Sequence, residues 1–588
     1  MAPHATLQET AQSRYWWMNA TTTKFAQFGF DYTRFRFGLR TGSAACLALF
    51  LAWALGLEHP QWAAMTVWSV SQPTRGLLLE KAGFRALGTI IGTSVGILIV
   101  ILTQDITLLA GLMLTLWVVA CVYTSTLLHG LLSYGAVLAG YSASMVVLLT
   151  RTSDALLHIG VDRFVTVMLG ILTALVIGWL FTYKRAEQTL VNKVRRQTAA
   201  NLQLLSKAFA QGSIEKLPVH DHITQLAHLE TQLIDHGSGS PSAHLSAKLL
   251  RRLLNAQLGI FAQLETLHFS GARLTPYPEL SEALQTCAQA IIDNDPKRMR
   301  ATVIALHPFV AKTPVAEAFF EFEHAATERL AFRGSGAAAQ SVRTPSVLLH
   351  RDWRGAKESA LRTFAVMALI SILWAITGWA PLAFLLLGAS VMLTLFSTAE
   401  NPAKTMYFVF IGQAAGAILA LSIQAFLWPH TNSIFTMLLC LVPIVLLAGI
   451  PMAHNRTSPG SMDFILVFLL LMQPNLHYEF DAVQSISIAL AVTAAPLLAM
   501  ASYKLLFPTN LRSRQRHLLQ ALERELQDIE QRSLTKQQLE RYRARFYHRL
   551  FKLYKIADKL DFNAKLTAAR WLLRVQQDLN KHQSTQTA

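Results

Sequence analysis

The sequence predicts an all-α integral membrane protein: two parallel six-helix transmembrane halves, about 12 spans in all, with a helical polar domain between them and a helical tail. Three observations carry this. Of the 588 residues, 52% are hydrophobic and only 15% charged, too apolar a mixture for a soluble chain of this size. Runs such as Thr41–Leu57 and Ile101–Leu128 approach or exceed the ~20 residues a helix needs to cross a bilayer. Finally, two apolar blocks, 37–184 and 358–508, flank a polar stretch of domain size, 185–357, and a basic tail, 509–588, follows.

Residues 1–36 read as a cytoplasmic leader with an interfacial segment at Tyr15-Trp16-Trp17. They lack the apolar core and small-residue cleavage site of a signal peptide, so the first span is expected to be its own insertion signal. The first half then offers spans at Phe37–Leu57, Trp62–Val70, Phe84–Thr103, Ile106–Leu127, Leu131–Thr150 and Phe164–Tyr183. The second is short, broken or extended at Gln72-Pro73-Thr74-Arg75-Gly76, because proline lacks an N–H and pushes its predecessor out of helix. After Glu80, Lys81 and Arg85 the chain turns apolar again, carrying Gly88, Gly92 and Gly96. Their four-residue spacing puts them on one helix face, where a second helix can approach closely. Arg34, Arg36, Arg40, Arg75, Lys81, Arg85, Lys184 and Arg185 all fall on one side of these spans. Glu58, Gln104-Asp105 and the mixed loop 151–163 fall on the other, so the N-terminus is expected in the cytoplasm.

The polar stretch carries leucines and phenylalanines at helical spacing, among them Leu202, Leu205 and Phe209, with loops expected at Gly237–Pro241 and Gly334–Gly336. It follows an even number of spans and is therefore expected in the cytoplasm, as a regulatory or oligomerisation domain or as a spacer. The second half follows with spans at Leu361–Gly378, Pro381–Ser397, Thr405–Leu427, Ile434–Ile450, Phe464–Met472 and Ile486–Phe507. Leu39-Arg40-Thr41 recurs as Leu361-Arg362-Thr363, Trp53 and Pro60 as Trp374 and Pro381, and Gly92/Gly96 as Gly412/Gly416. The two halves thus read as repeats pointing the same way, except that Phe408-Val409-Phe410 stands in the neighbourhood of Arg85. The tail has 17 Lys/Arg against 8 Asp/Glu. Its stripe Leu539, Tyr542, Phe546, Leu550, Leu553, Ala557 and Leu560 alternates spacings of three and four, as a helix packing on another helix does.

The hairpin carries a resemblance. The pattern P-x-W-x3-T-V-x2-V-x-Q-P-x2-G is filled by Pro60, Trp62, Thr66, Val67, Val70, Gln72, Pro73 and Gly76. K-x3-R-x2-G-T-x2-G-x3-G follows, filled by Lys81, Arg85, Gly88, Thr89, Gly92 and Gly96. It resembles the signature region of the fusaric-acid-resistance family, closely here and architecturally over the rest of the chain. The resemblance implies a multi-pass protein of the bacterial inner membrane that exports small organic anions, aromatic carboxylic acids in particular, on the proton gradient. Independently of it, Arg351, Arg354, Lys357 and Arg362 before the second half and Lys504, Arg512, Arg514 and Arg516 after it place the C-terminus, like the N-terminus, on the expected cytoplasmic side. The partners the resemblance implies are the organic anion, membrane lipid, a periplasmic membrane-fusion adaptor and further copies of the chain. A passive organic-anion channel and a non-transport envelope scaffold stay open as rivals.

The formal charge of +17 reflects basic residues gathered on one membrane side rather than a nucleic-acid partner. Cys46, Cys121 and Cys440 lie in apolar runs and Cys287 stands alone, with no disulfide or metal spacing. No nucleotide loop, nucleophile elbow or His-Glu zinc pair is present, so no enzyme, cofactor or metal is expected. Charges beside apolar spans are costly and are usually placed for a reason. Arg75, Lys81 and Arg85 could gather a carboxylate and Trp62 or Trp68 stack its ring; the plainer readings are orientation anchors and an interfacial aromatic belt. For proton coupling the candidates are Asp463, Asp154 and Asp162, the last two also readable as loop residues balancing Arg151 and Arg163.

Overall fold

The structure is a computed structural model that describes residues 25–104, 106–149, 156–181, 186–215, 217–237, 240–271, 274–335, 351–431, 433–472, 474, 480–531 and 535–587. In chain order its main helices begin with α1 (Tyr32–Ala54), α2 (Pro60–Val70), α3 (Arg75–Thr103), α4 (Thr107–Leu127), α5 (Leu131–Leu149) and α6 (Leu156–Phe181). A polar series follows: α7 (Ala186–Gln211), α8 (Val219–His236), α9 (Pro241–Phe269), α10 (Pro278–Asp293), α11 (Pro296–Ala305), α12 (His307–Val310) and α13 (Ala316–Ser335). The second apolar series is α14 (Trp353–Thr377), α15 (Pro381–Leu395), α16 (Pro402–Phe426), α17 (Ile434–Leu447), α18 (Gly449–Ala453), α19 (Ser458–Leu471) and α20 (Ala482–Leu505). The tail forms α21 (Leu511–Glu530), α22 (Lys536–Asp558) and α23 (Phe562–Thr587). The two apolar series make one compact unit; the polar series and the tail make another.

Among the described residues nine helices are long and apolar enough to cross a membrane, and α15 and α19 are apolar but shorter. The 11 residues of α2 span only ~16 Å at 1.5 Å per residue, about half a bilayer core. Pro60 and Pro381 open α2 and α15 at the position where a missing N–H costs nothing. The break at Gln72-Pro73 ends α2. Thr74 then accepts a hydrogen bond from the Leu77 N–H and starts α3, nine residues before the apolar run begins. Lys81 therefore sits on the third helix itself, as Arg85 does, rather than on a connecting loop. The Tyr15-Trp16-Trp17 segment lies outside the described residues. Helix α13 runs on through Gly334 to Ser335 where a loop is expected; one glycine weakens a helix by only ~1 kcal/mol.

Close helix contacts repeat in both apolar series. A Cβ built on Gly88 or Gly92 would lie 2.7 Å from the Gly135 carbonyl and 2.6 Å from the Ala139 carbonyl of α5, and one on Gly96 would lie 2.9 Å from Val146 Cβ. In the second series Gly412 and Gly416 of α16 press on the carbonyls of Gly460 and Phe464 of α19. The first helix of each series also packs against the other series. Gly38 and Gly42 of α1 meet Gly449 and Val445 of α18 and α17, while α14 brings Ser371 against Gly111 of α4.

In the polar unit Leu202, Phe209, Leu226, Leu254, Phe261 and Phe322 share one core with the tail residues Phe546, Leu550, Tyr554 and Leu572. The tail's apolar stripe is thus covered by its own unit. A buried ionic cluster lies in it: the Glu230 carboxylate of α8 is 3.0 Å from Arg251 Nε of α9 and 3.1 Å from His548 Nδ1 of α22. Burial opposes the charge on Glu230, but His548 and Arg251 outweigh it and hold the carboxyl down at about 2. Burial pushes His548 below its ordinary 6.5 against the pull of Glu230.

Both groups bind protons more weakly folded than unfolded, so stability is lost as pH falls. The His548 contribution is complete above pH 6.5 and drains below it; that of Glu230 drains below about 4.5. Hydrogen exchange of 536–558 in the full chain is expected to accelerate on going from pH 7.5 to 5.5, after correction for intrinsic exchange. An unchanged protection factor would contradict the cluster.

Candidate functional site

A cavity of about 250 Å³ in the apolar unit gathers four of the residues singled out in the sequence: Trp62 of α2, Lys81 and Arg85 of α3, and Asp463 of α19. Tyr134 and Tyr141 of α5 and Arg163 of α6 join them, with an apolar wall that includes Met65, Phe384, Val391 and Leu466. Its size is near the lower end of the ~300–1,000 Å³ usual for small-molecule sites. Lys81 and Arg85 are one helical turn apart and share a face. Arg75, six residues before Lys81, points ~120° away. Its guanidinium donates to the Trp179 carbonyl at 2.6 Å and lies 4.9 Å from that ring's centre.

Arg85 is buried, 6% exposed. Its Nη1 donates to the hydroxyls of Tyr134 and Tyr141 at 3.1 and 3.2 Å, and Nη2 reaches Thr66 Oγ1 at 3.5 Å. Nε is buried without a hydrogen-bond partner. The edge formed by Nε and Nη2 is the one on which a guanidinium holds a carboxylate with two parallel bonds. Lys81 Nζ lies 5.0 Å from the centre of the Tyr134 ring, and the Arg163 guanidinium lies 5.4 Å from that of Trp62. Among the described residues no ion pair engages any of these three cations. Among the described residues Asp463 is the one carboxylate on the wall. Two buried guanidiniums and a half-buried ammonium facing one carboxylate are expensive unless an anion completes the set. The arrangement can receive a carboxylate carried on a flat apolar body.

Trp68 is buried in the helix core, six residues from Trp62 and on another face. Asp162 belongs to α6 rather than to a loop. Its carboxylate lies 2.8 Å from His59 Nδ1 and accepts the Glu58 backbone N–H at 3.0 Å, so its partner is His59 and not Arg163. Asp154 lies outside the described residues. Arg163, Tyr134, Tyr141 and Thr66 are the lining groups that the sequence reading passes over. The two tyrosines are seven residues apart on an apolar helix and so share a face, a signal that was available. Arg163 was hidden by the acidic residue beside it. Among the described residues no cluster of His, Cys, Asp and Glu could hold a metal.

Residues 34–580 match the Fusaric acid resistance protein family. Similar proteins include the p-hydroxybenzoic acid efflux pump subunit AaeB of Yersinia pestis strain Pestoides F and that of Yersinia pseudotuberculosis serotype O:1b. Each is 25% identical over 486 residues, covering 76% of this chain and 72% of the relative. No solved structure matches the chain.

Proposed function

The chain belongs to the fusaric acid resistance protein family, and from that premise we propose that it exports small organic anions, aromatic carboxylic acids foremost, across the bacterial inner membrane on the proton gradient. The observation that carries this reading is the cavity where Lys81, Arg85 and Arg163 surround an apolar space without carboxylate partners. Arg85 takes the carboxylate on its Nε–Nη2 edge, Lys81 and Arg163 add attraction, and Trp62 flanks the ring. The electrical part of the gradient works in the export direction, since an anion leaving a negative interior gains ~2.3 kcal/mol per 100 mV. Asp463 is the group through which protons act.

Further parts of the reading rest on sequence pattern: 12 spans, both termini and 185–357 in the cytoplasm, and Gly88, Gly92 and Gly96 as packing positions. The name of the relatives, a pump subunit, supports a periplasmic adaptor as partner, and further copies of the chain belong to the same proposal. In everted vesicles, accumulation of p-hydroxybenzoate above the outside concentration is expected, and an uncoupler should abolish it. Movement that only ever equalises concentrations would assign a passive channel, and no movement of any aromatic acid would sink the transport reading.

A further inference from the structure

A second, larger cavity of about 750 Å³ lies in the same unit, and it shares three residues with the first: Trp62, Phe384 and Leu470. The helix ends that line it are those of His59, Thr103, Thr107, Gly378 and Asp481, opposite the ends that carry Arg40, Arg75 and Lys81. Its chemistry differs. Among the described residues no lysine or arginine lines it; its polar groups there are neutral side chains such as Gln424, Gln484 and Ser485, together with His59 and the carboxylate of Asp481. An anion moving from the first cavity to the second leaves three cations and meets one negative charge.

Trp62 stands between them under restraint from both sides. The His59 ring stacks on it, 4.1 Å between centres and 8° from parallel, and His59 is itself tied to Asp162 at 2.8 Å. From the first cavity the Arg163 guanidinium lies over the indole at 5.4 Å. Asp162 and Arg163 are neighbours on α6, so one helix holds both restraints.

We propose, on the basis of the transport reading, that the second cavity is the release station for the carboxylate, and that Trp62, with Phe384 and Leu470, is the septum between the stations. A carboxylate drawn to Arg163 competes with the indole face for that cation, which weakens one of the two restraints on Trp62. Occupancy of the first station thereby favours opening toward the second. The second station offers no cation among the described residues and so holds the anion less tightly than the first, and substrate leaves instead of returning, as conduction through successive sites requires.

The test needs the full chain in intact cells, with its four native cysteines replaced by alanine and Leu466→Cys added on the wall of the first cavity. An impermeant thiol reagent supplied outside is expected to label this cysteine slowly. Adding Trp62→Ala should raise the rate at least about tenfold, and Phe384→Ala should do the same if the tryptophan variant fails to reach the membrane. Unchanged rates in the variants that reach the membrane would overturn the septum. Fast labelling of the parent would also overturn it, because the first cavity would then already be open to the outside. Separately, Gln484→Arg puts a cation into the release station and should slow export of p-hydroxybenzoate by about tenfold, the effect of ~1.4 kcal/mol of added retention. Unchanged export there would overturn the release role. If the parent chain exports no aromatic acid, the transport reading fails on its own, and the labelling rates still report the septum.

Discussion

Arg85→Gln is expected to lower export of a benzoate-type acid by about 10- to 100-fold while the protein reaches the membrane in normal amount, the loss that goes with one charge-assisted contact. The position explains the size. Arg85 is buried, its Nη1 is occupied by Tyr134 and Tyr141, and its Nε remains without a partner. Glutamine can still bond a tyrosine hydroxyl but brings no charge to the substrate. Arg85→Lys restores charge at a single nitrogen, which cannot hold both tyrosines and both carboxylate oxygens, so recovery should be partial. An orientation anchor behaves otherwise: lysine would substitute fully, and glutamine would be nearly silent because Arg75 and Lys81 still mark the same side. Export measured against membrane abundance separates the two. Full activity in Arg85→Gln would leave the basic residues as orientation signals only.

Gly92→Leu should remove most of the folded protein from the membrane. A Cβ alone would sit 2.6 Å from the Ala139 carbonyl and 2.7 Å from Ser142 Cβ, and neither backbone can move without parting α3 from α5. Overpacking of this kind usually costs ~1–3 kcal/mol, and here the obstacle is backbone rather than a side chain that can turn away. Leu at Ile90, which is 46% exposed, is the control and should be neutral. The readout is monodisperse protein recovered after mild solubilisation. Equal recovery of the two variants would show that α3 and α5 do not meet through these glycines.

Much of the helix layout was legible because apolar length is read directly in a membrane chain, where backbone groups must be bonded within the helix. Spans at 131–150 and 381–397 were placed to within two residues of α5 and α15. The failures share a cause. Helices α3 and α6 begin nine and eight residues earlier than their apolar runs, because their first turns carry charged or polar residues: Lys81 in one, Asp162 and Arg163 in the other. A charge inside a membrane helix looks like a loop to hydropathy, and these charges are what line the cavity or tie its neighbour. Helical phase would have separated Arg75 from Lys81 and Arg85. No pattern in one strand of text could have brought Asp463 to them, because that contact spans almost 400 residues.

The contact of the first helix with the second series sets a timetable for synthesis. Gly38 and Gly42 of α1 find their backbone partners only in α17 and α18, some 400 residues later. At ~5–20 residues per second a ribosome needs roughly 20–80 s to supply them. For that interval the bare groove of α1 faces acyl chains, and neither half of the nascent chain can reach its final packing before the other has been made. Biogenesis is therefore coupled across the whole polypeptide: α1 can settle on α2 and α6 early, but its glycine face is closed only when α17 and α18 have been made.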